Sequence, residues 1–124
     1  MNENSPRILV VDDEETICAA IKALLTYKNY TVFTAPDSKT ALDIIKERRP
    51  HLLLLDICLE KESGIDLLKT VRGFNNEIGV IMFSASMPDS IMEQAFAELK
   101  VKRFVPKPVN IPDLLEIIKE GFNG

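Results

Sequence analysis

Four of the five short apolar runs in this chain lead into residues that can bind a metal ion or a phosphoryl group. Residues 8–11 precede Asp12 and Asp13, residues 52–55 precede Asp56, residues 80–83 precede Ser84, and residues 104–105 come shortly before Lys107. Apolar runs without alternation are typical of parallel strands that are buried on both faces. Because parallel strands end at one edge of their sheet, where ligands bind, the sequence predicts that these acids, the hydroxyl and the ammonium share one pocket.

Helical periodicity between the apolar runs predicts an alternating α/β chain. Strands are predicted at residues 7–12, 31–35, 51–56, 79–84 and 101–105. Apolar residues at helical spacing predict a helix after each strand, the first of them over residues 14–28. Five such repeats indicate right-handed crossovers and one parallel sheet with helices on both faces. Lys102 and Arg103 place charges inside the last strand, which predicts that it lies at a sheet edge.

Local signals refine the ends of these elements. Asp37 or Ser38 is predicted to cap the second helix, and Asn110 the last one. Pro88 is predicted to lie in the first turn of the fourth helix, where a backbone N–H would have no partner within the helix. Residues 59–64 are predicted to form a charged loop, with Glu60, Lys61 and Glu62 in solvent.

Length, charge and cysteine content narrow the class of protein. The chain of 124 residues fits one domain, with a polar tail at residues 1–6 and no output domain. A net charge of −4 argues against direct binding to nucleic acid, which needs a basic face. No secretory signal or membrane-spanning run is present. Cys18 and Cys58 are too few for a disulfide framework. We therefore expect a cytoplasmic protein with reduced thiols that does not contact a membrane.

The ordered set of motifs resembles the receiver domain of two-component response regulators. The matching segments are Val10-Val11-Asp12-Asp13-Glu14, Leu54-Leu55-Asp56 with Gly64 eight positions on, Ser84-Ala85, and Phe104-Val105-Pro106-Lys107-Pro108. The resemblance covers essentially the whole chain. It implies a single, doubly wound, flavodoxin-like α/β domain with a five-stranded parallel sheet in the order 2-1-3-4-5.

This resemblance implies a phosphorelay function centred on Asp56. That aspartate would accept a phosphoryl group from a phosphohistidine of a sensor histidine kinase or of a histidine phosphotransfer domain. Asp12, Asp13 and Asp56 would hold Mg²⁺, with the backbone carbonyl of Cys58 as a further ligand. Such a protein catalyses its own phosphorylation and dephosphorylation and is not classed as an enzyme.

The resemblance also implies how phosphorylation would be read out. Ser84 and Lys107 would contact the phosphoryl oxygens, and Ser84 with Phe104 would form the switch. The change would appear on the face made by the fourth helix, the fifth strand and the fifth helix. A homodimer of two receivers is left open as a further partner.

Elementary electrostatics supports a cation among the three predicted acids. Two carboxylates ~4 Å apart repel by about 4 kcal/mol at an effective dielectric constant near 20. Three carboxylates in one pocket therefore need a proton or a cation between them. Mg²⁺ prefers oxygen ligands and suits such a site, and Mn²⁺ is expected to substitute for it.

Some positions depart from the family pattern, and three other functions fit the sequence less well. Glu60 stands where a proline is common, and Lys100-Val101 replaces a small Gly-Ala pair. A phosphohydrolase with an aspartyl nucleophile would carry a second acid two residues after Asp56, where Cys58 stands. A flavodoxin-like cofactor binder would need a phosphate loop after the first strand. A degenerate receiver that binds partners without phosphorylation is disfavoured by the intact acid set.

Three further expectations concern residues around the predicted pocket. Ile17 and Ala20 either dock the phosphodonor domain or pad the edge of the core, and the sequence leaves both alternatives open. His51 is expected at the surface, at the opposite end of the sheet from the acids. A cis peptide bond is expected between Lys107 and Pro108.

Overall fold

Five parallel strands form one sheet in the computed structural model, which describes residues 5–123. They are β1 (Arg7–Val11), β2 (Thr31–Ala35), β3 (Leu52–Asp56), β4 (Gly79–Ser84) and β5 (Arg103–Pro106). Their order across the sheet is β2-β1-β3-β4-β5, which confirms the predicted topology. The strand order reverses between β1 and β3, and a crevice at the carboxyl ends of the strands is expected at that point.

Five helices cover the two faces of this sheet. They are α1 (Glu15–Tyr27), α2 (Ser38–Arg48), α3 (Gly64–Arg72), α4 (Ser90–Glu98) and α5 (Ile111–Asn123). One apolar cluster joins the sheet to α2, α3 and α4, and a second joins it to α1 and α5. Alternate strand residues face opposite clusters, with Leu9 in the first and Ile8 in the second. The apolar runs of the sequence are therefore buried on both sides, as predicted for a parallel sheet.

Side-chain caps lie at the starts of several helices, and those of α2 and α4 bear on the predictions. Asp37 caps α2 by accepting a hydrogen bond from the Thr40 N–H at 2.8 Å, which selects Asp37 over Ser38. Asp89 caps α4 through the Met92 N–H at 2.8 Å, so that α4 begins at Ser90. The prediction that Pro88 lies in the first turn of this helix is therefore wrong. The Asp89 carboxylate satisfies a free N–H of the first turn, so Asp89 is the N-cap and Pro88 precedes it.

The segment predicted as a loop at residues 59–64 contains a short antiparallel hairpin instead. Cys58–Leu59 pairs with Glu62–Ser63, and we call residues 58–63 the 58–63 hairpin. Its turn lacks the Asn-Gly or Asp-Gly pair that signals such a hairpin in a sequence. The left-handed residue is Lys61, with φ of 62°. Leu59 is buried and anchors the hairpin to the core that packs on α2 and α3.

The last strand and the residues before the first strand lie close to their predicted positions. β5 begins at Arg103, two residues later than predicted, and pairs with β4 at one edge of the sheet, as its charges indicated. Of the predicted polar tail, Pro6 lies beside the sheet, where its carbonyl accepts the Thr31 N–H at 3.0 Å. Residues 1–4 lie outside the described residues. No helix within residues 5–123 has both the length and the apolar character needed to cross a bilayer.

Candidate functional site

The carboxyl ends of β1, β3, β4 and β5 bring the predicted site residues together. Asp12 follows β1, Asp56 ends β3, Ser84 ends β4, and Lys107 follows β5. Asp56, Ser84 and Lys107 line a cleft of about 440 Å³, and the buried Asp12 accepts a hydrogen bond from Lys107 at its edge. Its lining residues are Asp13, Glu14, Asp56, Cys58, Ser84, Ala85, Ser86 and Lys107. Residues up to 95 positions apart in the chain thus meet at one place.

Three carboxyl groups of the cleft lie close enough to share one cation. Asp12, Asp13 and Asp56 each offer an oxygen, and the three oxygens lie within 4.8 Å of one another. Asp12 and Asp56 are buried, whereas Asp13 is half-buried. The donors are all carboxylate oxygens, which fits a hard divalent cation such as Mg²⁺ or Mn²⁺.

Lys107 joins the acids of β1 and β3. Its Nζ donates hydrogen bonds to Asp12 Oδ2 and Asp56 Oδ2, both at 2.9 Å, and lies 3.7 Å from Glu14 Oε1. It also lies 5.0 Å from the centroid of the Phe83 ring. The peptide bond that follows it, to Pro108, is cis, as predicted. The sequence did not single out the contacts of Lys107 with Glu14 and Phe83, which depend on rotamers and not on spacing.

Burial and ion pairing shift the proton affinities of the cleft. Burial alone would lower the pKa of Lys107, but its hydrogen bonds to Asp56 and Asp12 outweigh burial and raise it. Burial raises the pKa of Asp12, although the Glu14 amide and Lys107 both act to lower it. Burial and the nearby Asp12 charge raise the pKa of the Cys18 thiol to about 11. Lys107 therefore stays protonated, and Cys18 stays a neutral thiol, at neutral pH.

Backbone amides orient all three carboxylates. The Glu14 N–H donates to Asp12 Oδ1 at 2.9 Å, and the Cys58 N–H donates to Asp56 Oδ1 at 3.0 Å. A third bond, from the Glu60 N–H to Asp13 Oδ2, measures 2.8 Å and bridges 47 positions of the chain. The sequence pattern alone does not predict these three backbone hydrogen bonds. The first two bonds run to a residue two positions ahead and are typical of Asx turns, whereas the third depends on the 58–63 hairpin.

Gly64 allows the close approach of α3 to the end of β3. A Cβ atom built on Gly64 would lie 2.1 Å from the Asp56 carbonyl oxygen. Such a contact would force the backbone apart. Glycine is therefore required for steric reasons at this position of the sequence motif, eight residues after Asp56.

Ser84 borders the cleft, whereas Phe104 lies away from it. The buried Ser84 Oγ accepts the Ser86 N–H at 3.3 Å and lies 3.9 Å from Cys58 Sγ. Phe104 stacks on Phe96 of α4, with ring centroids 6.0 Å apart. The predicted switch pair therefore spans from the cleft to α4, and its movement stays a prediction.

An apolar groove adjoins the cleft on the side of α1. Ile17 and Ala20 line this groove of about 380 Å³ together with Ala85, Pro108 and Val109. Ile17 is half-buried and Ala20 is exposed. Both alternatives for these residues, docking and padding, stay predictions. His51 is exposed at the opposite end of the sheet, as expected, and its Nδ1 accepts the Arg7 N–H at 3.0 Å.

Comparison with known proteins places the chain among receiver domains. Residues 8–119 match the family model described as the response regulator receiver domain. The response regulator MprA of Mycobacterium tuberculosis is 31% identical over 112 residues, which are 90% of this chain and 48% of MprA. This chain thus spans about half the length of the curated relatives that it matches.

Solved structures resemble the chain over nearly its full length. The CheY-like receiver domain protein of Methanospirillum hungatei superposes with a TM-score of 0.90 at 29% identity, covering 97% of this chain and 95% of that one. The receiver domain of the Francisella response regulator 1452 gives a TM-score of 0.84 at 25% identity, covering 96% of this chain and 98% of that one.

Proposed function

The chain belongs to the response regulator receiver domain family of two-component signalling, and from this premise we propose that it is a switch controlled by phosphorylation of Asp56. The observation that carries the proposal is the meeting of three carboxylates and one ammonium at the carboxyl edge of the sheet. Residues 8–119 match the family, so we treat the receiver domain as the unit that switches.

Asp56 would receive the phosphoryl group from a phosphohistidine of a sensor kinase or of a phosphotransfer domain. A carboxylate oxygen of Asp56 would form a bond to phosphorus as the phosphorus–nitrogen bond breaks, and the departing imidazole would take its proton from solvent. Transfer of this kind requires mainly alignment and charge neutralisation from the protein. The Cys58 amide fixes one oxygen of Asp56 for this step.

Asp12, Asp13 and Asp56, together with the carbonyl of Cys58, would hold Mg²⁺, or Mn²⁺ in its place. A bound ion of this type supplies positive charge that stabilises the oxygens of the transferring group. The Gly64 N–H bonds to the Ile57 carbonyl at 2.7 Å. Antiparallel ladders alternate bonded and non-bonded pairs, so Cys58 occupies a non-bonded position. Its carbonyl is therefore outside the ladder, which supports its proposed role as a ligand.

Lys107 and Ser84 would stabilise the phosphoryl group once it is attached. The charged Lys107 Nζ already contacts Asp56 Oδ2 at 2.9 Å, so a short movement would bring it to a phosphoryl oxygen. Ser84 Oγ lies at the end of the neighbouring strand and would donate a hydrogen bond to a second oxygen. Preorganised donors of this kind are most effective where water is excluded, and both side chains are largely buried.

Movement of Ser84 toward Asp56 would provide the output signal. Space left beside β4 would be filled by Phe104, which stacks on Phe96 of α4. A rotation of Phe104 would therefore change the face formed by α4, β5 and α5. The two free thiols, Cys18 and Cys58, are compatible with the reducing cytoplasm, where we propose that the chain acts.

Intact-mass spectrometry after incubation with acetyl phosphate and Mg²⁺ tests this function. We expect a mass increase of one phosphoryl group in the wild type and none in Asp56→Asn. Asp66→Asn, which changes an exposed aspartate of α3, is the matched control and should be phosphorylated like the wild type. Absence of the adduct in the wild type, or continuous release of phosphate from varied phosphate esters, would contradict the proposal and favour a phosphohydrolase.

A further inference from the structure

Glu60, at the tip of the 58–63 hairpin, contacts one of the three clustered acids through its backbone. Its N–H donates a hydrogen bond of 2.8 Å to Asp13 Oδ2. We infer that this N–H positions the Asp13 carboxylate for the divalent cation, which makes Glu60 a positioning residue of the site. The inference rests on the proposed function, since it assumes that Asp13 is a metal ligand.

The hairpin holds this donor in a fixed place. Leu59, next to Glu60, is buried in the core. On the other side of the turn, Glu62 Oε1 accepts the Ser38 N–H at 3.2 Å, which ties the hairpin to the start of α2. Where the hairpin ends, the Gly64 N–H bonds to the Ile57 carbonyl. The Glu60 N–H therefore projects from a short, anchored turn.

Among the described residues, Asp13 depends on its single hydrogen bond more than Asp12 and Asp56 depend on any one of theirs. Asp12 and Asp56 are each held by a backbone amide and by Lys107. Within residues 5–123, Asp13 accepts one hydrogen bond, that from Glu60. Asp13 is also half-buried, whereas the other two acids are buried. Without the Glu60 N–H, its carboxylate would have to be ordered when the cation binds, and that ordering would weaken affinity.

The effect belongs to the backbone of Glu60 and not to its side chain. The Glu60 side chain is exposed, and the N–H is the group that contacts Asp13. Proline has no N–H to donate, so a proline at position 60 would leave Asp13 without this hydrogen bond.

The geometry of the turn allows this N–H to be removed cleanly. Lys61 has a φ of 62°, whereas Glu60 before it has a negative φ. This pattern is typical of a type II turn, whose second position favours proline. Leu59 is in a strand, the extended conformation that a residue before proline requires. Glu60→Pro should therefore delete the N–H and keep the turn, and Glu60→Ala should remove the same carboxylate but keep the N–H.

Binding of Mn²⁺, measured by electron paramagnetic resonance, tests the inference with this matched pair. We expect Glu60→Pro to bind Mn²⁺ about tenfold more weakly than Glu60→Ala, at the low end of the 10–100-fold effects of groups that support metal ligands. The two variants should unfold at similar temperatures without metal. When Asp13→Ala is added to both, the difference in affinity should disappear, because the acceptor of the hydrogen bond is gone.

Failure of the inference and failure of the proposed function would give different results in these binding measurements. If the wild type does not bind Mn²⁺, the proposed metal site fails. If the wild type binds and the proline and alanine variants have equal affinities, the inference is overturned. A difference that persists with Asp13→Ala would also overturn it, since the effect would then travel through the hairpin itself.

Hydrogen exchange of the wild type gives a test that does not need Glu60→Pro to fold. The Glu60 amide should be protected from exchange both with and without Mg²⁺, because the bond to Asp13 persists when the cation binds. Exchange of this amide at the rate of a free loop amide, in either condition, would overturn the inference.

Discussion

The two ends of the strands differ in how their charged side chains are buried. We call the end where the strands finish the carboxyl edge of the sheet and the end where they start the amino edge. At the carboxyl edge, Asp12, Asp56 and Lys107 are buried together and are held by one another. At the amino edge, the guanidinium of Arg7 donates to the Arg48 and Arg49 carbonyls at the end of α2, at 2.9 and 3.1 Å, and lies near solvent. Buried carboxylates that share one ammonium are costly for folding, whereas a half-buried arginine that caps the end of a helix stabilises it.

Contacts at the amino edge stabilise the fold, whereas the carboxyl edge carries the candidate functional site. At the amino edge, Tyr30 and Phe122 stack with ring centroids 5.7 Å apart, and His51 packs against Phe122. These aromatic contacts close the end of the core. The carboxyl edge keeps an open cleft instead, with an excess of negative charge that a cation can balance. Substitutions at the two edges should therefore differ both in magnitude and in their response to Mg²⁺.

Lys107→Met should have the largest effect on stability. Loss of the ammonium leaves Asp12 and Asp56 unpaired, which should lower the free energy of unfolding at neutral pH by about 3 kcal/mol. Urea denaturation measures this change. Saturating Mg²⁺ should restore part of the loss, because the cation neutralises the same carboxylates.

Arg7→Met at the opposite edge is the matched control for Lys107→Met. It loses exposed hydrogen bonds, so it should cost about 1 kcal/mol and should not respond to Mg²⁺. Equal losses and equal Mg²⁺ responses in the two variants would contradict the contrast between the edges.

Gly64→Ala should have the next largest effect. The added Cβ would meet the Asp56 carbonyl oxygen at 2.1 Å, so the end of β3 must shift. We expect a loss of about 2 kcal/mol in the free energy of unfolding, as in other overpacked sites, together with slower phosphorylation by acetyl phosphate.

Gly121→Ala in α5 shows what a harmless glycine substitution looks like in this chain. Its Cβ would lie 3.5 Å or more from its nearest neighbours, in ordinary contact. Replacing a glycine within a helix should stabilise the chain by up to about 1 kcal/mol. If the two glycine variants behaved alike, the close packing of Gly64 on Asp56 would not be the cause.

Titration of His51 should give the smallest effect. Partial desolvation of the ring, and to a lesser extent the charge of Arg7, lower the pKa of His51 below 6.5. Since the folded pKa is the lower one, its stabilising contribution is complete above pH 6.5 and is lost as the pH falls through the folded value. Protonation of Nδ1 would also end its hydrogen bond with the Arg7 N–H.

Urea denaturation between pH 7 and pH 5 tests this effect of His51 on the free energy of unfolding, with His51→Gln as the reference. His51 is the one histidine of the chain. The wild type should lose more stability than the variant over this range. An identical pH dependence of the two proteins would show that the hydrogen bond with Arg7 does not depend on the charge of His51.

The strand ends that converge on the cleft could be predicted from the sequence because two simple rules govern them. Unbroken apolar runs mark buried parallel strands, and all such strands end at one edge. Asp12, Asp56 and Ser84 were placed by these rules, and β2 and β4 were found at their predicted bounds. The bridging position of Lys107 agrees with the same reasoning.

The parts that could not be predicted depend on contacts between segments or on single competing groups. The 58–63 hairpin has no glycine in its turn, and its register depends on the burial of Leu59. The start of α4 was decided by one hydrogen bond of Asp89, which the signal from Pro88 could not reveal. The bond from Glu60 to Asp13 requires both the hairpin and the end of β1, so neither segment indicates it alone.

A crystal structure of the chain grown with Mn²⁺, with anomalous diffraction to locate the ion, tests the central claim most directly. We predict one Mn²⁺ coordinated by an oxygen from each of Asp12, Asp13 and Asp56, directly or through one water. An ion bound elsewhere, or a cleft in which these three carboxylates point away from one another with Mn²⁺ present, would contradict it.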